Sequence, residues 1–182
     1  MVVEESRSAS RPVVVARLRP RWQKEKDERL PLLASVDAKA STVYIKSDEE
    51  SPPKAVKVTH ALDERAEQDD VWAVFSPCID ELLDRINISL FAYGETGSGK
   101  TYTMSYLTSR FICEVLRRKQ EYDSFEVVLS MVEIDNERIY DLLGSDRKNL
   151  TILNYEVKGS KWAEVRSEAE CKALLQECWR RR

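Results

Sequence analysis

The chain has 182 residues, 42% of them apolar and 34% charged, with a formal net charge of −3. That length gives one domain or part of one, with apolar residues enough for a core. A slight acidic excess supplies no positive field for nucleic acid or an anionic membrane, and no apolar run approaches the ~20 residues that span a bilayer.

Residues 1–11 are polar and partly acidic and read as a disordered lead, not a secretory signal. The β-branched run of "VVVARLRP" (Val13–Pro20) reads as a strand that Pro20 ends. "RWQKEKDER" reads as a charged connection. Weaker strands follow at Val36–Ile45 and Ala55–Val58, joined by the exposed, proline-containing "KSDEESPPK". From Gln68 to Ile86, Val71, Phe75, Cys78, Ile79, Leu82 and Ile86 recur at helical spacing, with Pro77 placed to kink or split the helix. "ISLFAY" (Ile88–Tyr93) has the unbroken apolar character of a strand buried on both faces. Met104, Leu107, Phe111 and Val115 mark a helix with a basic end, "RRKQ". A strand is expected over Phe125–Ile134. "NERIYDLLG" reads as an amphipathic turn of helix with Gly144 as its cap. Ser167 and Glu170 form a capping-box pattern opening a last helix, whose apolar face carries Cys171, Leu174, Leu175 and Cys178. Strands alternating with helices indicate an α/β fold. The four cysteines lack C-x-x-C spacing and read as reduced core thiols, in keeping with an intracellular, soluble protein.

Three of only five glycines fall within six residues, in "GETGSGKT" (Gly94–Thr101). This fits G-x-x-x-x-G-K-[ST], preceded by a strand-like run and followed by a helix, as that motif requires. A triphosphate carries several negative charges that must be held without bulky side chains. Glycines let successive main-chain N–H groups turn inward toward the phosphate oxygens, and a helix N-terminus adds unsatisfied amides and a positive dipole end. Gly94, Glu95, Thr96, Gly97, Ser98, Gly99, Lys100 and Thr101 are therefore the candidate ATP site. Lys100 is placed for the β- and γ-phosphates and the Thr101 hydroxyl for Mg²⁺.

"LFAYGETGSGKTYTM" resembles the P-loop of kinesin motor domains more closely than that of GTPases or small-molecule kinases. The resemblance continues in order along the chain. "VVVARLRP" is similar to the family's first strand with its R-x-R-P ending, and "QDDVWAVFSPCIDELLDRINISLFAYG" to the helix and strand leading into the loop. "SMVEIDNERIYDLL" resembles E-I-Y-N-E-x-x-Y-D-L-L, with Asp135 where an aromatic is usual. The match covers about residues 12–180. It implies an incomplete kinesin-like motor domain over 12–182, with a P-loop NTPase-type sheet flanked by helices. It also implies ATP and Mg²⁺ as ligands, microtubules as partner and a cytoplasmic, cytoskeletal location. Arg17 and Pro20 would border the adenine, with Tyr102 on its other side. Asn136, Glu137 and Tyr140 read as structural, fixing the turn after their strand.

Four departures limit what the resemblance implies. Glu95 stands where the family commonly has glutamine. A carboxylate beside the phosphates costs roughly 1 kcal/mol per close pair in water-like surroundings, and about 4 kcal/mol at ~4 Å with an effective dielectric near 20; pointed to solvent it costs little. The family's loop interrupting the helix after the P-loop is missing from "TMSYLTSRF". "VTHALDE" replaces an aromatic-rich strand, and its His60 reads as an edge-strand residue, with no triad plan around it. Finally, neither N-x-x-S-S-R-S-H nor D-L-A-G-S-E occurs in the 182 residues. The resemblance thus stops short of the two switches that position water and sense the γ-phosphate, and the buried-type strands risk lacking neighbours. No catalytic residue is assigned, and ATP turnover by these residues alone is expected to be negligible. Two readings stay open. One is the N-terminal part of an ATP-dependent microtubule motor; the other is a non-motor nucleotide-binding or interaction protein. No heptad run argues for a coiled coil.

Overall fold

The computed structural model describes residues 12–122, 125–144 and 149–182; the lead assigned to residues 1–11 lies outside them. The described residues fall into two compact units that divide after Val74.

In the first unit, β1 (Val15–Arg17) stops short of Pro20 as expected and pairs in parallel with β5 (His60–Leu62), Ala16 opposite Ala61. His60 is an exposed residue of that pair. The charged connection after Pro20 is in fact a short helix, α1 (Gln23–Asp27). Glu25 supports its first turn by accepting from the Trp22 main-chain N–H at 2.7 Å. The same carboxylate pairs with Arg19, whose guanidinium lies 4.4 Å from the Trp22 ring centroid. The expected strand at Val36–Ile45 is a hairpin instead, β2 (Ala34–Asp37) and β3 (Thr42–Ile45). Asp37 causes the break by accepting from the Ala40 N–H at 2.9 Å, a side-chain-closed turn. β4 (Lys54–Lys57) completes a three-stranded antiparallel sheet, and "KSDEESPPK" links it to β3. Next, α2 (Gln68–Phe75) buries Val71.

The second unit begins as Ser76 and Pro77 separate α2 from α3 (Cys78–Leu83), the split foreseen for Pro77. Residues 88–93 do not form the expected buried strand. No described strand pairs with them, and Phe91 and Tyr93 are 91% and 103% exposed. Apolar character alone does not make a strand, which needs a neighbouring ladder for its N–H and C=O groups. After the glycine loop, α4 (Lys100–Arg117) runs unbroken through "TMSYLTSRF", burying Leu107. Arg118 caps it and pairs with Asp80 of α3 and Glu121.

The strand expected at Phe125–Ile134 is two strands, β6 (Val128–Leu129) and β7 (Val132–Asp135). "NERIYDLLG" is not helical. It supplies β8 (Arg138–Asp141), antiparallel to β7, and Gly144 caps no helix. Asn136 and Glu137, at φ +48° and +63°, are the two central residues of the hairpin turn, a geometry whose twist suits paired strands. Ile139 and the β-branched and aromatic residues near it then serve period two, not 3.6. A second two-residue turn, Asn154–Tyr155 at φ +52° and +63°, joins β9 (Asn149–Leu153) to β10 (Glu156–Lys158). The sheet order is β10-β9-β8-β7, while β11 (Ala163–Glu164) pairs with β6.

α5 (Glu168–Arg181) begins as its capping pattern predicts. The Ser167 hydroxyl accepts from the Glu170 N–H at 3.2 Å, and the Glu170 carboxylate accepts from the N–H of Arg166. Its buried face, Cys171, Leu175 and Cys178, closes a core with Leu129, Leu142, Leu143 and Val165. Ile112 and Leu116 of α4 pack against that core. At the far end of α5, hydrogen bonds from Arg180 and Arg181 hold the Glu177 carboxyl down to about 2.

Two outcomes follow. Leu175→Ala should cost about 2–5 kcal/mol in denaturant unfolding, the range for a buried leucine truncation that leaves a cavity. Glu177 carries a depressed pKa, so its stabilising effect is full above its ordinary value of 4.5 and disappears as pH falls toward about 2. Carboxyl NMR titration should find that midpoint, and Glu177→Gln should blunt the acid loss of stability over the same interval.

Candidate functional site

The glycine loop makes a reversal that side-chain-bearing residues resist. Gly97 and Gly99 sit at φ +82° and +94°, in the left-handed region, with Ser98 outside it between them. Alternating handedness of this kind turns successive N–H groups toward one concave face. The Ser98 N–H donates to the Glu95 carbonyl at 3.1 Å, closing a turn, and the Thr103 N–H donates to the Gly99 carbonyl at 3.0 Å. Gly99 is the N-cap residue of α4 and has no side chain to offer the first-turn amides. Gly94 is constrained differently, since a Cβ there would stand 2.7 Å from the Ser98 hydroxyl oxygen.

Lys100 folds back over the loop. Its ammonium donates to the carbonyls of Gly94 at 2.8 Å and Glu95 at 2.7 Å, so a mobile positive charge is anchored by main-chain oxygens beside the reversal. Gly94, Glu95, Thr96 and Gly97 are exposed, and Ser98, Gly99 and Lys100 are half-buried. The Glu95 carbonyl thus takes part in the loop while the residue itself is open to solvent. The next residue, Thr101, accepts at its hydroxyl from Arg182 Nη1 at 3.1 Å, and Arg182 Nε lies 3.5 Å from a Glu133 carboxylate oxygen. No spacing pattern in the sequence joins Thr101 to a residue 81 positions away. Tyr102, in the first turn of α4, leaves 65% of its surface exposed.

The remaining candidates lie in the first unit. Arg17, at the end of β1, donates through its guanidinium to Gln68 Oε1 at 2.7 Å and to the Ala66 carbonyl at 3.2 Å. Pro20 is exposed. Asn136, Glu137 and Tyr140 belong to the β7–β8 hairpin, as their structural reading implied. No group of three or more His, Cys, Asp or Glu side chains able to hold a metal occurs among the described residues. No described helix is long and apolar enough to cross a membrane.

A profile of the kinesin motor domain matches residues 17–182. The chain belongs to the kinesin motor domain family. It is 37% identical to Kinesin-like protein KIN-14M of Oryza sativa subsp. japonica over 116 residues, covering 56% of this chain and 10% of that one. It is 31% identical to Kinesin-like protein KIN-14L of Arabidopsis thaliana over 170 residues (80% and 17%), and 29% identical to Kinesin-like protein klp-3 of Caenorhabditis elegans over 152 residues (79% and 25%). Its backbone superposes on a solved structure described as that of a fast kinesin, with implications for ATPase mechanism and interactions with microtubules. The TM-score is 0.84 at 25% identity, covering 93% of this chain and 52% of the other. The kinesin fold is therefore present as a mixed α/β architecture. The chain spans about half of that solved kinesin and a quarter or less of these relatives.

Gly99→Ala tests the loop geometry separately from any ligand. Nothing lies within 4 Å of an added Cβ, so the substitution meets open space and its cost is conformational. Thermal or denaturant unfolding should show a loss of about 1–2 kcal/mol, the usual penalty for a left-handed L-residue.

Proposed function

We propose that Gly94–Thr101 binds Mg·ATP and that the chain contributes the nucleotide-binding part of a microtubule motor domain. The observation that carries this reading is the Lys100 ammonium tethered to the Gly94 and Glu95 carbonyls beside two left-handed glycines. An ammonium held by carbonyl oxygens gives up those bonds readily for phosphate oxygens bearing full charge, because charge-assisted contacts are the stronger. Main-chain amides from Gly97 to Thr101 hold the polyphosphate, with the α4 N-terminus supplying its dipole. The Thr101 hydroxyl would offer one ligand to Mg²⁺, which would supply positive charge to offset that of the phosphates. A purine contact for Tyr102 belongs to the same proposal. Family membership supports microtubules as the partner track and a cytoskeletal location in the cytoplasm.

A second reading is nucleotide binding without turnover. Phosphoryl transfer depends on groups aimed at the attacking water and the developing charge, so a phosphate cradle alone grips without accelerating.

Saturating Mg·ATP at 100 times its dissociation constant should stabilise the folded chain by about 2.7 kcal/mol, read as a rise in melting temperature. Lys100→Ala should remove that rise. A melting curve of the folded protein that ignores Mg·ATP overturns the binding proposal. Hydrolysis measured with and without microtubules separates the two readings, because stimulated turnover by this chain is compatible only with the motor.

A further inference from the structure

The Arg182 guanidinium, just beyond α5, stands between three elements of the second unit. Its Nη1 donates to the Thr101 hydroxyl at 3.1 Å, its Nε lies 3.5 Å from a Glu133 carboxylate oxygen on β7, and its central carbon is 5.7 Å from the centroid of the Trp179 ring. The Glu133 contact is longer than a close N–H···O hydrogen bond, so it offsets the charge only in part. Arg182 keeps 48% of its side-chain surface open, against 18% for Glu133, so water or a ligand can reach the guanidinium. Thr101 lies in the first turn of α4, at the positive end of that helix's dipole, and Lys100 beside it brings another positive charge. Two cations at a helix N-terminus are the reverse of what the dipole favours, and an anion placed against them relieves the mismatch.

We propose that Arg182 is a resident cation at the Thr101 hydroxyl, which competes there with Mg²⁺ and meets part of the phosphate charge of ATP in its place. The inference rests on the ATP reading of Gly94–Thr101. A threonine hydroxyl has two acceptor lone pairs, so the Arg182 bond leaves one for a metal, and charge rather than occupancy sets the competition. A Mg²⁺ on that oxygen would bring a second cation against the guanidinium, and like charges so close repel. Phosphate is attracted instead. A guanidinium carries five N–H donors, and the Thr101 and Glu133 contacts engage Nη1 and Nε, so the rest of the fork can turn to phosphate oxygens. With Lys100 on the loop carbonyls, Arg182 gives ATP a second positive charge that belongs to the protein. Binding of ATP then depends little on the metal.

ATP binding by the full chain is measured by titration calorimetry in Mg²⁺ and again in EDTA. Arg182→Ala should weaken metal-free binding about tenfold, the order expected for one lost charged hydrogen bond, and Mg·ATP binding by no more than about threefold. Arg182→Lys, which keeps the charge, should recover most of the metal-free loss. Arg182 is exposed, so neither change opens the core. Metal-free binding that is unchanged in Arg182→Ala, or weakened no more than Mg·ATP binding, overturns the competition and leaves the ATP reading standing. Recovery of nothing by Arg182→Lys overturns its basis in charge. A wild-type chain that binds ATP in neither buffer sinks the ATP reading, and this inference with it.

Discussion

The left-handed backbone at Gly97 and Gly99 governs what the second unit can present. Between residues 88–93 and α4 the chain must reverse within a few positions, and φ values of +82° and +94° make that possible at low strain. Everything nearby inherits the reversal. It leaves Gly99 as a cap without a side chain, brings Lys100 back to the carbonyls of Gly94 and Glu95, and starts a helix whose first residues include Thr101 and Tyr102. Glycine adds no chemistry there. It sets where the chemistry of its neighbours is placed.

Rigidity comes from elsewhere in the same unit. α4 leans through Ile112 and Leu116 on a core assembled from β6, the residues after β8, the start of the last connection and α5. α5 in turn is fixed at its start by Ser167 and Glu170, and beyond its far end Arg182 reaches both Thr101 and Glu133. The loop is thus held from two sides, by the helix it begins and by a side chain arriving from the end of another. Main-chain geometry makes the reversal, and helix packing keeps it in position.

Local signals were legible and pairwise ones were not. The spacing of Gly94, Gly97, Gly99, Lys100 and Thr101 is a property of eight consecutive residues, so it could be read directly from the letters. The cap at Ser167, the division at Pro77 and the buried face of α5 are equally local. Residues 88–93 were misread because an apolar run reports a preference for burial, whereas a strand also needs a partner supplied from elsewhere. "NERIYDLL" fits both periods over so short a length, and the choice fell to Asn136 and Glu137, whose left-handed turn lays β8 beside β7. Glu25 made a helix of a stretch that composition marks as a linker. The contact between Arg182 and Thr101 left no trace in the spacing, because it exists only once α4 and α5 are folded.

The bareness of Phe91 and Tyr93 carries a consequence of its own. Aromatic rings in water beside main chain that pairs with no described strand offer a surface on which an extended peptide can lie, with hydrogen bonds to the main chain and apolar contacts to the rings. The residues that lead the chain into its glycine reversal therefore leave main-chain groups beside bare aromatic rings.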